Sequence, residues 1–154
     1  MSELFLPCVY AFVACFAFCF VVNIRGRMLL FAPLGASLGW LVYIAAAPAA
    51  SELLCYFFAT LAVSIYAEIM ARLHRAPATG FLLVGLLPLV PGGGIYYTME
   101  YCVSGNQIAF GQSLVHTLAV AGALALGIVL ISSLFRFCML FWYHRKKKKQ
   151  CKKA

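Results

Sequence analysis

Pro88-Leu89-Val90-Pro91-Gly92-Gly93-Gly94-Ile95-Tyr96-Tyr97-Thr98-Met99 lies inside an apolar run that begins near Thr79 and ends near Tyr101. The run is long enough to cross a bilayer, which takes about 20 residues of helix. Its middle is not regular helix. Pro88 and Pro91 have no backbone N–H, and each ring clashes with the carbonyl four residues back. Gly92, Gly93 and Gly94 each cost about 1 kcal/mol in a helix interior relative to alanine. Broken backbone at membrane depth is tolerated only where protein buries it or water reaches it. Discontinuous helices of this kind build substrate sites in secondary transporters. The bland alternative is a kinked helix with glycines for close packing.

Composition fixes the class around this stretch. Of 154 residues, 65% are hydrophobic and 10% charged, and mean hydropathy is +0.97. Soluble domains carry about 25% charged residues. The expected fold is therefore an all-α integral membrane protein of about five transmembrane helices, the fourth broken at its Pro/Gly segment. The spans are placed at residues 4–22, 28–47, 52–71, 79–101 and 111–137, in one domain that ends at residue 143. No Lys or Arg precedes the first apolar run, so it reads as a retained span rather than a signal peptide.

Charge sets the expected orientation. Arg25 and Arg27, then Arg72 and Arg75, then the tail carry the cations, whereas the N-terminus and the loops near Pro48 and Gly105 carry none. Basic segments face the cytoplasm, so the N-terminus is expected outside and the C-terminus inside. Most of the +8 net charge sits in residues 144–154, a basic cytoplasmic tail that suits anionic lipid better than nucleic acid. Trp142 and Tyr143 close the fifth span as interfacial aromatics. Five of the seven cysteines fall in apolar runs and read as small hydrophobes, not as a disulfide framework.

Glu68 is the one acid well inside a predicted span, and an intramembrane carboxylate is a functional candidate. Arg72 follows four residues later on the same face, and Ser64 precedes by four, giving the stripe Ser64-Glu68-Arg72. A coupling role and a structural ion pair fit this stripe equally. Beyond the break, residues 95–101 read as a half-helix running outward. Its N-terminus near Gly92, Gly93 and Gly94 would offer free N–H groups and a positive dipole end to a substrate carboxylate. Tyr96, Tyr97 and Thr98 add hydroxyl donors. Gln112, Ser113, His116 and Thr117 read as interhelical hydrogen-bonding groups, and His116 has no partner nearby in sequence. No nucleophile–base pair, phosphate loop or metal-ligand spacing is present, so neither an enzyme nor a cofactor is expected.

Three blocks carry a family resemblance: Ser64-Ile65-Tyr66-Ala67-Glu68-Ile69-Met70-Ala71-Arg72, then Ala76-Pro77-Ala78-Thr79, then the Pro88 to Met99 stretch. Together with Gly35-Ala36-Ser37-Leu38-Gly39-Trp40 they resemble the threonine/serine exporter family, and more narrowly its C-terminal half, which occurs as a small stand-alone subunit. The resemblance spans about residues 23–133. It implies a multi-pass exporter of the bacterial inner membrane, driven by the proton motive force. The implied substrates are threonine and serine, or dicarboxylates such as succinate. It implies a larger membrane subunit as partner. Glu68, Arg72, Pro88, Pro91 and Gly92 match the family pattern, whereas His116 and the lysine tail do not belong to it. Two other classes compete: a structural or assembly membrane subunit, and a small holin-like pore.

Overall fold

The computed structural model describes residues 2–26 and 28–151, and the side chains of residues 6–26 and 28–139. Six helices form, with no strand among the described residues: α1 (Ser2–Val21), α2 (Met28–Ala46), α3 (Glu52–His74), α4 (Ala78–Leu86), α5 (Gly92–Val103) and α6 (Gln107–Cys151). A 3₁₀ turn, Leu87–Leu89, joins α4 to the break. Helices α2, α3 and the Gln107–Met139 part of α6 are each long and apolar enough to cross a membrane. Ala78–Leu89 and Gly92–Val103 pass together as one bent pair, and Leu6–Val21 is a shorter apolar helix. Three helices thus meet the length and apolarity of a span, four with the bent pair counted as one, and the expected first span corresponds to the shorter helix.

Three boundaries differ from expectation, each for a local reason. Helix α3 runs three residues past the expected end, to His74. Arg75 stops it by turning left-handed (φ 51°), and its N–H returns to the carbonyls of Ala71 and Arg72. The loop after the broken span shrinks to a tight turn at Gly105 (φ +74°). Asn106 Oδ1 accepts the Ala109 N–H at 3.2 Å, so α6 starts at Gln107 rather than residue 111. At its other end α6 continues through the basic segment to Cys151, because no Gly or Pro interrupts it and Lys, Arg and Gln are good helix formers. The side chains of the tail, residues 144–154, lie outside the described residues, as do Arg27, Trp142 and Tyr143.

Named contacts give each helix its direction. Gly39 faces Val63, Gly35 faces Tyr66 and the Tyr43 ring lies tilted against Tyr56, so α2 and α3 are antiparallel. Ser37 Oγ donates to the Cys8 carbonyl at 3.0 Å and ties α2 to α1. Val63 meets Gly85, and His74 meets Phe81, so α4 returns along α3. Glu52 pairs with His116, Thr60 packs on Gly127, and Arg72 lies over Phe135. Both series ascend, so α3 and α6 run parallel. The bent pair between them must therefore carry the chain back across the bundle as one broken span. The start of α1 and the end of α6 consequently lie at opposite ends of the bundle. Arg25, Arg72, Arg75 and Arg136 gather at the His74 end, and Glu52 and Glu100 at the other.

Small residues let the backbones close. One core cluster, at the His74 end, contains Cys15, Cys19, Ala32, Ala36, Ala67, Ala71, Phe81 and Val84. A second, toward Glu52, joins Ala59, Val63 and Leu89 to Val120 and Leu124 of α6. All six described cysteines are free thiols; Cys15, Cys19 and Cys55 are buried as small hydrophobes, while Cys138 is exposed.

Val63 is fully buried between glycines of two other helices. A Cβ on Gly39 would meet Val63 Cγ2 at 2.5 Å, and one on Gly85 would meet Val63 Cγ1 at 2.7 Å. Valine is stiff at χ1 and cannot swing away. Gly39→Ala should therefore destabilise the protein by about 1–3 kcal/mol, the usual range for overpacking. Val63→Ala should relieve that loss, so the double variant should be more stable than the sum of the two single losses. Denaturant titration in micelles reads both, and strict additivity would rule out the contact.

Candidate functional site

The break is built by Pro91. Its φ of −75° and ψ of 61°, with the Gly92 N–H donating to the Val90 carbonyl at 2.7 Å, make an inverse γ-turn. The Ile95 N–H then reaches the Pro91 carbonyl at 3.1 Å, and α5 begins. The two halves of the span meet at 56°. The expected half-helix, residues 95–101, is longer than supposed: the three glycines are its first turn. That position is less demanding of them, since the first N–H groups of a helix have no intrahelical partner in any case.

No side chain caps this end of α5. The three glycines differ in what surrounds them. Gly92 has nothing within 4 Å of where a Cβ would stand. Gly93 has only the Tyr97 ring edge, at 4.0 Å. Gly94 is walled by Thr117, whose Oγ1 lies 2.5 Å from that position. Gly92 and Gly93 are thus the exposed glycines of this end, the Gly92 N–H being already given to Val90, with Tyr97 laid back over the turn and Tyr96 beside it, their rings edge-to-face at 5.5 Å. Tyr96 and Tyr97 are both exposed.

Thr98 turns the other way. Its hydroxyl donates to the Gly94 carbonyl at 2.6 Å, which uses its one proton, so the Ser113 hydroxyl 2.8 Å away donates to it. Thr117 donates to the Ser113 carbonyl at 2.7 Å. Thr98, Ser113 and Thr117 therefore form a polar seam between α5 and α6. Among the described residues α5 packs against no other helix. Two of the expected interhelical groups, Ser113 and His116, do bond across helices, whereas Gln112 is exposed.

Glu68 and Arg72 pair at 3.3 Å within one helix, with side chains 18% and 42% exposed. The Arg72 guanidinium also sits 4.6 Å from the Phe135 ring centre and so ties α3 to α6. Ser64 does not continue the stripe as a hydrogen-bonded chain: its hydroxyl is buried with no partner. The structure does not bring Glu68 to the open glycines. Gly94 abuts Thr117, next to His116, which contacts Glu52 at the far end of α3. Sixteen helical residues from Glu52 to Glu68 amount to about 24 Å. Sequence reasoning left His116 without a partner, and the structure supplies Glu52 at 3.2 Å. It also missed the Phe135 contact, for the same reason: both join residues far apart in the chain.

A family model described as Threonine/Serine exporter, ThrE, matches residues 7–134. The chain belongs to the threonine/serine exporter family. The match begins in α1, so it includes the first helix as well as the break, and stops short of the basic tail. Neither the curated proteins nor the solved structures hold a match to this chain. Membership of an exporter family makes this a membrane protein of transporter type, and transport is not an enzyme activity.

The glycines of this exporter should separate by experiment. Gly94→Ala should loosen the α5–α6 seam by about 1–3 kcal/mol through overpacking, and Thr117→Ala should restore it. Gly93→Ala should be neutral or stabilising by up to about 1 kcal/mol, since the methyl has room and alanine favours helix. Thermal unfolding in micelles distinguishes the two, and equal losses would exclude this packing of α5.

Proposed function

We propose that this chain is one subunit of a two-component secondary exporter of small amino acids, threonine or serine, or of small organic acids. It works in the bacterial inner membrane beside a larger membrane subunit. The observation that carries the reading is the uncapped N-terminus of α5, with Gly92 and Gly93 open, in a broken span of an exporter-family chain. Backbone N–H groups and the positive end of the helix dipole attract a carboxylate at such an end. Tyr97 adds an aromatic wall and a hydroxyl. Threonine, serine and dicarboxylates share that carboxylate, so one site serves each of them.

The charge asymmetry supports an orientation in which the His74 end, with Arg25, Arg72, Arg75 and Arg136, faces the cytoplasm. The basic tail then lies on the same side, where anionic lipid attracts it. A larger partner fits the architecture, because α5 leans on α6 alone and leaves its other faces uncovered.

Gly93→Ala tests the site. It should lower export while membrane insertion and stability stay intact. With native cysteines removed, Gly93→Cys should react with a small polar thiol reagent, and transported substrate should protect it. Full export by Gly93→Ala with an unreactive Gly93→Cys would place the substrate elsewhere. Glu68→Gln tests coupling, since it keeps the shape and hydrogen bonding of the side chain and removes the charge. Loss of export in a stable, assembled Glu68→Gln protein would assign the carboxylate to coupling; normal export would leave it as the structural partner of Arg72.

A further inference from the structure

His116 and Glu52 sit on α6 and α3, 64 positions apart in sequence, with Nε2 and Oε2 separated by 3.2 Å. Their side chains are 52% and 53% exposed at the surface of the chain. Glu52 is the first residue of α3. The same turn of α6 holds α5: Ser113 bonds Thr98, and Thr117 walls Gly94. One turn of helix thus grips α5 on one side and α3 on another. Because α5 packs only on α6, the separation of α3 and α6 at this level sets where the open glycines lie relative to the bundle.

We propose that His116 and Glu52 form a proton-responsive latch that holds the Glu52 end of α3 against α6 and thereby positions the start of α5. The chemistry is a single protonation. An imidazole changes charge between about pH 5 and 8. Below that change the contact is an imidazolium–carboxylate pair; above it, a neutral imidazole donates an ordinary hydrogen bond. The latch therefore tightens as pH falls, until the carboxylate itself takes a proton.

The other ionisable groups that face the pair are few. On α3 the nearby ionisable groups are Cys55, which donates to the Ala50 carbonyl, and Tyr56; on α2 it is Tyr43, 4.8 Å from Tyr56 ring to ring. On α6 the flanking Gln112, Ser113 and Thr117 are neutral. On α5 the ionisable residues are Tyr96, Tyr97, Glu100, Tyr101 and Cys102, and none makes a described contact with the pair. Exposed pairs contribute little in water, so the expected effect is a shift of roughly three- to five-fold in the closed population, not an all-or-none switch.

That the Glu52 end faces the outer medium rests on the proposed orientation; the measurement does not, because nanodiscs expose both faces. Labels at Leu53→Cys and Val115→Cys, in a full chain with native cysteines replaced, report the α3–α6 distance. The short-distance population should rise about three- to five-fold from pH 8 to pH 5.5. The rise should vanish in His116→Gln and in Glu52→Gln, which keep hydrogen bonding without the titrating charge pair. A pH-independent distance, or a rise that survives His116→Gln, overturns the latch. A second measurement keeps the natural cysteines: in ¹³C-histidine-labelled protein the His116 signal, identified by its loss in His116→Gln, should move in Glu52→Gln at pH 5.5. A signal that does not move overturns the contact itself. Neither result depends on export, so failure of the latch and failure of the transporter reading remain distinct.

Discussion

Three helices meet on one side chain. Val63 projects one methyl at Gly39 of α2 and the other at Gly85 of α4, with no room for a Cβ on either glycine. Within a bilayer, helices gain little from hiding apolar surface from one another, since lipid is as apolar as leucine. Close packing must supply the attraction, and it requires backbones that can approach. The Gly39–Val63–Gly85 contact meets that requirement once for three helices. It also fixes the depth of α4, and so the level at which Leu89 ends the regular part of the span and the break begins. Thr60 on Gly127 repeats the device between α3 and α6.

The break follows from two prolines with different jobs. Pro88 sits in the 3₁₀ turn, where its missing N–H is harmless; Pro91 makes the inverse γ-turn that redirects the chain. The glycines do not break the helix. They start a new one, and the first two of them stay exposed. A single wall, Thr117, then closes Gly94 and leaves Gly92 and Gly93 open.

What the sequence made legible was governed by local rules. Hydropathy located the helices, the Pro/Gly block located the break, and the small residues at Gly35 and Gly39 marked a close-packed face, all within short windows. The helix limits were misjudged where polar residues looked like loop: Gln107 belongs to α6 because Asn106 caps it, and the lysines continue α6 because nothing stops it. Site detail was less legible. A glycine triplet looks uniform until Thr117 distinguishes its third member, and Thr98 looks like a substrate hydroxyl until Ser113 claims it. His116 and Glu52 meet only because α3 and α6 run parallel, a tertiary fact that no single-helix periodicity encodes.

That parallel pairing also limits how the two polar regions can communicate. The Glu68–Arg72 pair and the open glycines lie near opposite ends of α3, on the order of 20 Å apart by helix rise. Two unit charges at that distance interact by less than about 1 kcal/mol even at an effective dielectric of 20. A proton on Glu68 would therefore change affinity for a carboxylate at Gly93 very little by its field alone. Any larger coupling must be mechanical, carried by movement of α3 against α6. Those helices touch at Glu52–His116, Thr60–Gly127 and Arg72–Phe135. The outer two contacts are polar and partly exposed, hence weak and exchangeable. The middle one is close-packed and resists separation.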